Sequence, residues 1–254
     1  MRDSSSIART RRIRASIPAI IWASPPISYS GRGVGERTLR LAHRGDWRRV
    51  PENSLAAFKA ALAIPACDGL EFDVRAAADG VLVIYHDETL ARVHGRPERV
   101  DAMPSTSLAE LGVPTLADVL KLAGSRPFLD VELKGDPGPA VVEVLAAGRG
   151  PDLSRAVVSS FEPQALETVA RRAPAWPRWL NTEMLDAEVV AQAVALGCRG
   201  VAVGWRALDR GSVSRARAAG LDVAAWTVRR RSTFDRLARL GVVAVCVEAA
   251  ALDS

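Results

Sequence analysis

Glu71 and Asp73 stand two residues apart inside the apolar run 69–74, and Glu132 and Lys134 stand two apart where the run 128–133 ends. In a β-strand, residues i and i+2 project from the same face, so each pair points one way. Both runs read as buried strands, which directs both pairs into one interior. Three carboxylates and an ammonium inside an apolar interior are costly unless they are paired or coordinated. Three oxygen donors with open positions suit a hard divalent cation, Mg²⁺ or Ca²⁺, better than zinc. A plain Glu132–Lys134 ion pair, with Glu71 and Asp73 solvated at a rim, is the structural alternative. The same pattern at the carboxyl ends of two neighbouring strands favours coordination.

Of the three histidines, His43 follows the apolar run 39–42 in His43-Arg44-Gly45-Asp46, His86 closes the run 81–85, and His94 lies further on. A single histidine at a strand end is more often a packing or surface residue than a catalyst. Two of them converging on a carboxylate-lined rim suit proton transfer near neutral pH. Arg44 and Lys134 add positive charge beside the carboxylates. A cation with an arginine and a lysine is what an anionic substrate such as a phosphate ester requires.

The elements that must position these residues follow from the alternation of apolar runs with amphipathic segments from residue 39 onward. Strands are expected at 39–42, 69–74, 128–133, 156–160, 178–181, 200–204, 222–227 and 242–247. Helical spacing joins Leu55, Phe58 and Leu62, then Leu116, Val119 and Leu120 behind a Thr115/Asp118 capping box, then Val189, Val190, Ala193 and Val194. Eight strands, each but the last followed by a helix, predict a closed (β/α)₈ barrel, with an open doubly wound sheet as the rival. The run 81–85 follows its predecessor too closely for a crossover helix, so it returns antiparallel and carries His86 and Asp87 back to the barrel mouth. A small insertion after strand two, spanning about 75–114 in a domain of 39–254, is the result.

The 254 residues are 48% hydrophobic and 25% charged, with mean hydropathy +0.07, which fits a folded globular chain. No run reaches the length of a membrane span. The net charge of +5 is confined to one end: residues 1–40 hold eight arginines against Asp3 and Glu36, while the rest sets 26 basic against 27 acidic residues. A nucleic-acid-binding face on the domain is therefore not expected. Residues 1–38 lack any period and read as a disordered basic extension. A secretory signal is disfavoured because the short apolar stretch 17–23 contains Pro18 and lacks a clean cleavage site. A start at Val34 would account for a segment that looks untranslated. Cys67, Cys198 and Cys246 are odd in number and set among apolar neighbours, which favours free thiols and a cytoplasmic location.

His43-Arg44-Gly45, Pro51-Glu52-Asn53-Ser54, Glu71-Phe72-Asp73-Val74, Asp79-Gly80, His86-Asp87, Glu132-Leu133-Lys134, Ser160-Phe161 and Trp226-Thr227-Val228 follow one another in this order. Together they resemble the signature of the glycerophosphodiester phosphodiesterase family from about residue 41 to 247. The resemblance implies a (β/α)₈ barrel that uses a divalent metal to cleave glycerophosphodiesters to sn-glycerol 3-phosphate and an alcohol. It also implies Glu71, Asp73 and Glu132 as metal ligands, His43 and His86 as the acid/base pair, Arg44 and Lys134 as phosphate contacts, and Trp226 as a wall of the glycerol pocket. Within that pair, His86 is expected on the leaving-group side because it adjoins the insertion, and His43 on the nucleophile side.

Three departures stand out: Arg229 where the family has Asn, Val247-Glu248 where it has Thr-Asp, and Ala91-Arg92-Val93-His94 after the His-Asp motif. They bear on the substrate's alcohol rather than on the reaction type. Two other functions compete. Lysophospholipase D-type cleavage needs an apolar approach, for which the insertion offers little beyond Val93, Val100, Met103 and Leu108. A non-catalytic phosphodiester-binding barrel has no need of both histidines and all three carboxylates. Because residues 1–36 lack the periodicity of a packed element, a chain beginning at Arg37 is expected to keep the melting temperature and turnover of the whole. A drop of several degrees in a thermal melt would show instead that the apolar stretch around Ile17 packs on the barrel.

Overall fold

The computed structural model describes residues 37–253. The expected basic extension lies outside the described residues, save for Arg37 and Thr38. The chain opens with β1 (Leu39–His43), α1 (Leu55–Leu62), β2 (Gly69–Ala76) and the short β3 (Leu82–Ile84). Two short helices, α2 (Ala91–His94) and α3 (Ser105–Glu110), lead to α4 (Leu116–Ala123) and β4 (Phe128–Leu133). Regular alternation follows through α5 (Ala140–Arg149), β5 (Ala156–Ser160), α6 (Pro163–Arg172), β6 (Arg178–Thr182) and α7 (Ala187–Ala195). It ends with β7 (Gly200–Gly204), α8 (Arg210–Ala218), β8 (Asp222–Val228), α9 (Arg231–Leu240) and β9 (Ala244–Val247).

Every strand except β3 is parallel to its neighbours, and β1 pairs with both β9 and β2, so the sheet closes on itself. This is the expected (β/α)₈ barrel. Strand alternation sorts its side chains into two layers. Leu39, Leu41, Phe128, Val157, Trp179, Ala202 and Ala224 fill the barrel interior. Leu70, Phe72, Val74, Leu129, Val131 and Leu133 point outward and pack under the helices. Burial of side chains of this size contributes roughly 1.5–3 kcal/mol each.

Local chemistry sets the element ends. Ser54 Oγ accepts from Ala57 N–H to start α1, and the Thr115/Asp118 capping box starts α4 as expected. On α7, Val190 and Ala193 are buried, but Val194 is half exposed, so the expected apolar stripe is one residue narrower. The last strand begins at Ala244 rather than Val242. Gly241 takes a left-handed conformation after α9, and Val242 N–H donates back to the Leu237 carbonyl, closing the helix instead of opening the strand.

The insertion also forms as expected. β3 runs antiparallel to the end of β2, with Val74 opposite Ile84, and this pairing carries β2 on to Ala76. Val83, Tyr85, Leu90, Val100 and Leu108 make a small core of its own. His94 stacks on Tyr85 at 5.8 Å, a packing role. At the opposite end of the barrel, Phe128 stacks on Trp179 with ring centroids 6.1 Å apart, and both are buried. Phe128→Ala should therefore open a cavity that its closed surroundings cannot collapse, costing about 3–5 kcal/mol in urea denaturation. A cost below about 1 kcal/mol would mean that this interior layer repacks freely.

Candidate active site

Strand register assembles the site. In the parallel ladder, His43 on β1 is level with Glu71 on β2, and Asp73 on β2 is level with Glu132 on β4. Inward alternation then brings oxygen atoms of Glu71, Asp73 and Glu132 within 4.8 Å of one another at the carboxyl end of the barrel. All three residues are buried. Glu71 is pushed well above the usual carboxylate range by burial and by the like charges of Asp73 and Glu132. Glu132 rises to about 7, because burial and Asp73 outweigh its pairing with Lys134. Burial opposes ionisation of Asp73 as well, yet Lys134 and Arg44 hold its pKa at about 2.

Two cations serve that centre. Lys134 Nζ pairs with Glu132 and lies 3.3 Å from Asp73 Oδ1. Arg44 Nε lies 3.1 Å from Asp73 Oδ2, and its Nη1 donates to Glu52 Oε1 at 2.9 Å. Arg44 reaches inward from a tight turn with φ of 57° at Arg44 and 83° at Gly45. A side chain at Gly45 would come within 2.6 Å of the Ala57 backbone, so the turn requires glycine twice over. Asn53, buried at the entry to α1, donates to Asp73 Oδ2 at 2.9 Å.

Each histidine is held by a carboxylate on the same ring atom. His43 Nδ1 is 2.6 Å from Glu248 Oε1, and His86 Nδ1 is 2.6 Å from Asp87 Oδ1. Both carboxylates are fixed from behind by arginine: Arg229 Nε donates to Glu248 at 2.7 Å, and Arg92 Nε donates to Asp87 at 2.6 Å. The Nε2 atoms are left for chemistry, and that of His43 lies 3.8 Å from Glu71 Oε2. Burial lowers the pKa of His86, although Asp73 and Asp87 oppose the shift.

The chamber enclosed by these groups measures about 250 Å³. Of the residues singled out in the sequence, His43, Arg44, Glu71, His86, Glu132, Lys134 and Trp226 line it, and Asp73 lies buried beneath. Trp226 packs edge-on against Phe161 at 5.4 Å, with its Nε1 tied to the Ala202 carbonyl. The structure also gives roles to groups for which the sequence reading had none. Glu248 is the partner of His43, and Asn53 and Glu52 secure Asp73 and Arg44. Asp130 also points inward below the carboxylate cluster; it accepts from Ser159 Oγ, and burial pushes it up to about 7. The alternation that marked Glu132 and Lys134 extends back to Asp130 and could have found it.

The donor set fits a hard cation. All three candidate ligands are carboxylates, and Glu71 Oε1 is buried without a hydrogen-bond partner. Among the described residues this is the one carboxylate, histidine or cysteine group with such geometry.

Comparison with known proteins agrees with this arrangement. The glycerophosphodiester phosphodiesterase of Caldanaerobacter subterraneus subsp. tengcongensis is 30% identical over 224 residues, covering 81% of this chain and 92% of that relative. The glycerophosphodiester phosphodiesterase of Bacillus subtilis is 26% identical, with 91% of each chain covered. A solved structure of an Oleispira antarctica phosphodiesterase in complex with the product sn-glycerol-3-phosphate superposes with a TM-score of 0.74 at 27% identity, covering 83% of this chain and 93% of that one. Residues 43–252 match the model of the glycerophosphoryl diester phosphodiesterase family, and with a match that spans the whole barrel mouth from His43 to Glu248, this chain belongs to that family.

Proposed function

We propose that this chain hydrolyses glycerophosphodiesters to sn-glycerol 3-phosphate and an alcohol, with Mg²⁺ or Ca²⁺ held by Glu71, Asp73 and Glu132. The observation that carries the reading is the pair of carboxylate-anchored imidazoles facing one chamber over a buried carboxylate cluster. When bound, a hard cation would polarise a phosphoryl oxygen and offset its charge. Arg44 and Lys134, held in place by Glu52, Asp73 and Glu132, balance the charge that develops on the phosphoryl oxygens. Trp226, braced by Phe161, walls the glycerol moiety.

The chamber geometry supports the reverse of the histidine order expected from the sequence. His43 lines both the chamber and the wide opening outside it, whereas His86 lines the chamber alone, although its side chain is the more exposed of the two, at 33% against 16%. The departing alcohol needs that opening, so His43 is the group that hands a proton to the leaving oxygen as the P–O bond breaks. His86, whose burial keeps its ring neutral near pH 7, takes the proton of the attacking oxygen. The lysophospholipase D reading gains no support, because Val100 and Leu108, the apolar residues an acyl chain would need, are buried in the insertion's own core.

The direct test is release of sn-glycerol 3-phosphate from glycerophosphocholine. Exhaustive chelation should abolish it, and Mg²⁺, Mn²⁺ or Ca²⁺ should restore it better than Zn²⁺. Glu132→Gln should weaken activation by metal far more than Glu88→Gln, because Glu88 is exposed and paired with Arg99 outside the chamber. Full activity after chelation would remove the metal assignment, and no product with any of these ions would remove the proposed activity.

The two histidines are separable by leaving group. Loss of a general acid should cost about 10²- to 10⁴-fold on glycerophosphocholine and much less on a para-nitrophenyl diester of glycerol phosphate, which leaves without protonation. His43→Ala should be rescued by the aryl substrate and His86→Ala should not. Selective rescue of His86→Ala restores the order read from the sequence. Undiminished activity of both variants on glycerophosphocholine ends the acid/base reading.

A further inference from the structure

The chamber opens into a vestibule of about 980 Å³, and the two share His43, Arg44, Glu183, Trp226 and Thr227. An alcohol esterified to a phosphate in the chamber projects into this space. Five arginines line the vestibule against three glutamates, an excess of positive charge in a domain that is otherwise close to neutral. Arg44 and Arg92 share Glu52, and Arg229 is bonded to Glu248. Arg206 and Arg230 have no carboxylate partner among the described residues, and Glu183 is the one lining carboxylate left unpaired. Arg206 follows β7 and Arg230 follows β8, so neighbouring loops deliver both to the same wall.

A cationic alcohol would need an open aromatic face. Trp205 is already engaged, with Arg206 4.6 Å and Arg236 5.6 Å from its ring centre, which leaves Trp47, 36% exposed at the rim, as the more open ring. That stacking orients the Arg206 guanidinium and leaves its N–H donors free. Arg230 belongs to the run Arg229-Arg230-Arg231.

We propose that the vestibule is an anion subsite in which Arg206 and Arg230 bind a phosphate carried by the leaving alcohol. The preferred substrate class is then a glycerophosphodiester of a phosphorylated alcohol, a proposal that rests on the phosphodiesterase reading above.

The test compares three substrates on the full chain: glycerophosphoglycerol, its terminally phosphorylated form and glycerophosphocholine. KM should be lowest for the phosphorylated form. The Arg206→Gln/Arg230→Gln double variant should raise that KM by about five- to tenfold, the scale of two partly exposed charge-assisted contacts. The values of kcat, and the KM for glycerophosphocholine, should stay. Added salt should erode the preference of the unaltered chain in the same way. No preference for the phosphorylated form, a preference for glycerophosphocholine, or an equal loss on all three substrates would overturn the subsite. Should no diester be cleaved at all, the phosphodiesterase reading fails separately. The subsite is then read by calorimetry with a non-cleavable phosphonate analogue of the phosphorylated substrate: weaker binding to the double variant upholds it, and equal binding rejects it.

Discussion

The mutual repulsion of three buried carboxylates is the constraint around which the mouth of this barrel is organised. With ligand oxygens no more than 4.8 Å apart, each ionised pair repels by roughly 3 kcal/mol or more at an effective dielectric of 20, and the three pairs together by roughly 10 kcal/mol. That sum rivals the whole stability of an ordinary domain, about 5–15 kcal/mol. The protein divides the charge unequally. Asp73, flanked by Lys134, Arg44 and the Asn53 amide, keeps its negative charge, while Glu71 and Glu132 are driven upward. Neighbouring elements supply the compensation: the tight turn after β1 aims Arg44, the start of α1 supplies Asn53, and the end of β4 supplies Lys134.

A second tier of carboxylates then orients the histidines. Glu248 and Asp87 engage the Nδ1 atoms, and Arg229 and Arg92 stand behind them. This relay fixes ring orientation, and it leaves Nε2 of each ring toward the chamber. Glu52 ties the two halves together, because it accepts from Arg44 on one side and from Arg92 on the other. Substitution at Glu52 would thus disturb the phosphate-side arginine and the His86 support at once, although Glu52 itself need not touch substrate.

Period-two alternation made most of this legible in advance. The strands 128–133, 156–160 and 200–204 read directly from apolar runs, and spacing alone aligned Glu71 with Asp73 and Glu132 with Lys134. The hairpin was readable because so few residues separate β2 from β3. Contacts between distant parts of the chain were not. His43 and Glu248 are 205 residues apart, and the pairing exists only because the barrel closes β9 onto β1. Val247-Glu248 read as a departure from the family; in the fold, Glu248 is bonded to Arg229, another of the departing residues. Asp130 was overlooked for a different reason: it lies mid-strand in an apolar run, where burial pushes it up to about 7 toward the protonated form, against the Ser159 hydroxyl that donates to it.

The barrel separates these demands along its axis. Toward its amino end the interior is apolar, with Leu39, Phe128, Val157 and Trp179 in van der Waals contact, and it can supply stability because it carries no charge. Toward the carboxyl end, His43 on β1 and Glu132 on β4 stand four residues further along the same strands as Leu39 and Phe128, and β2 adds Glu71 and Asp73 beside them. The change of layer occurs within single strands: Phe128, Asp130 and Glu132 succeed one another on one face of β4. No loop rearrangement can then separate the charged layer from its support. Electrostatic strain at the mouth is borne by packing deeper in the same barrel, so the position of each ligand depends on strand register more than on the loops. The loops after β7 and β8 remain free to vary, and there the chain carries its uncommitted arginines.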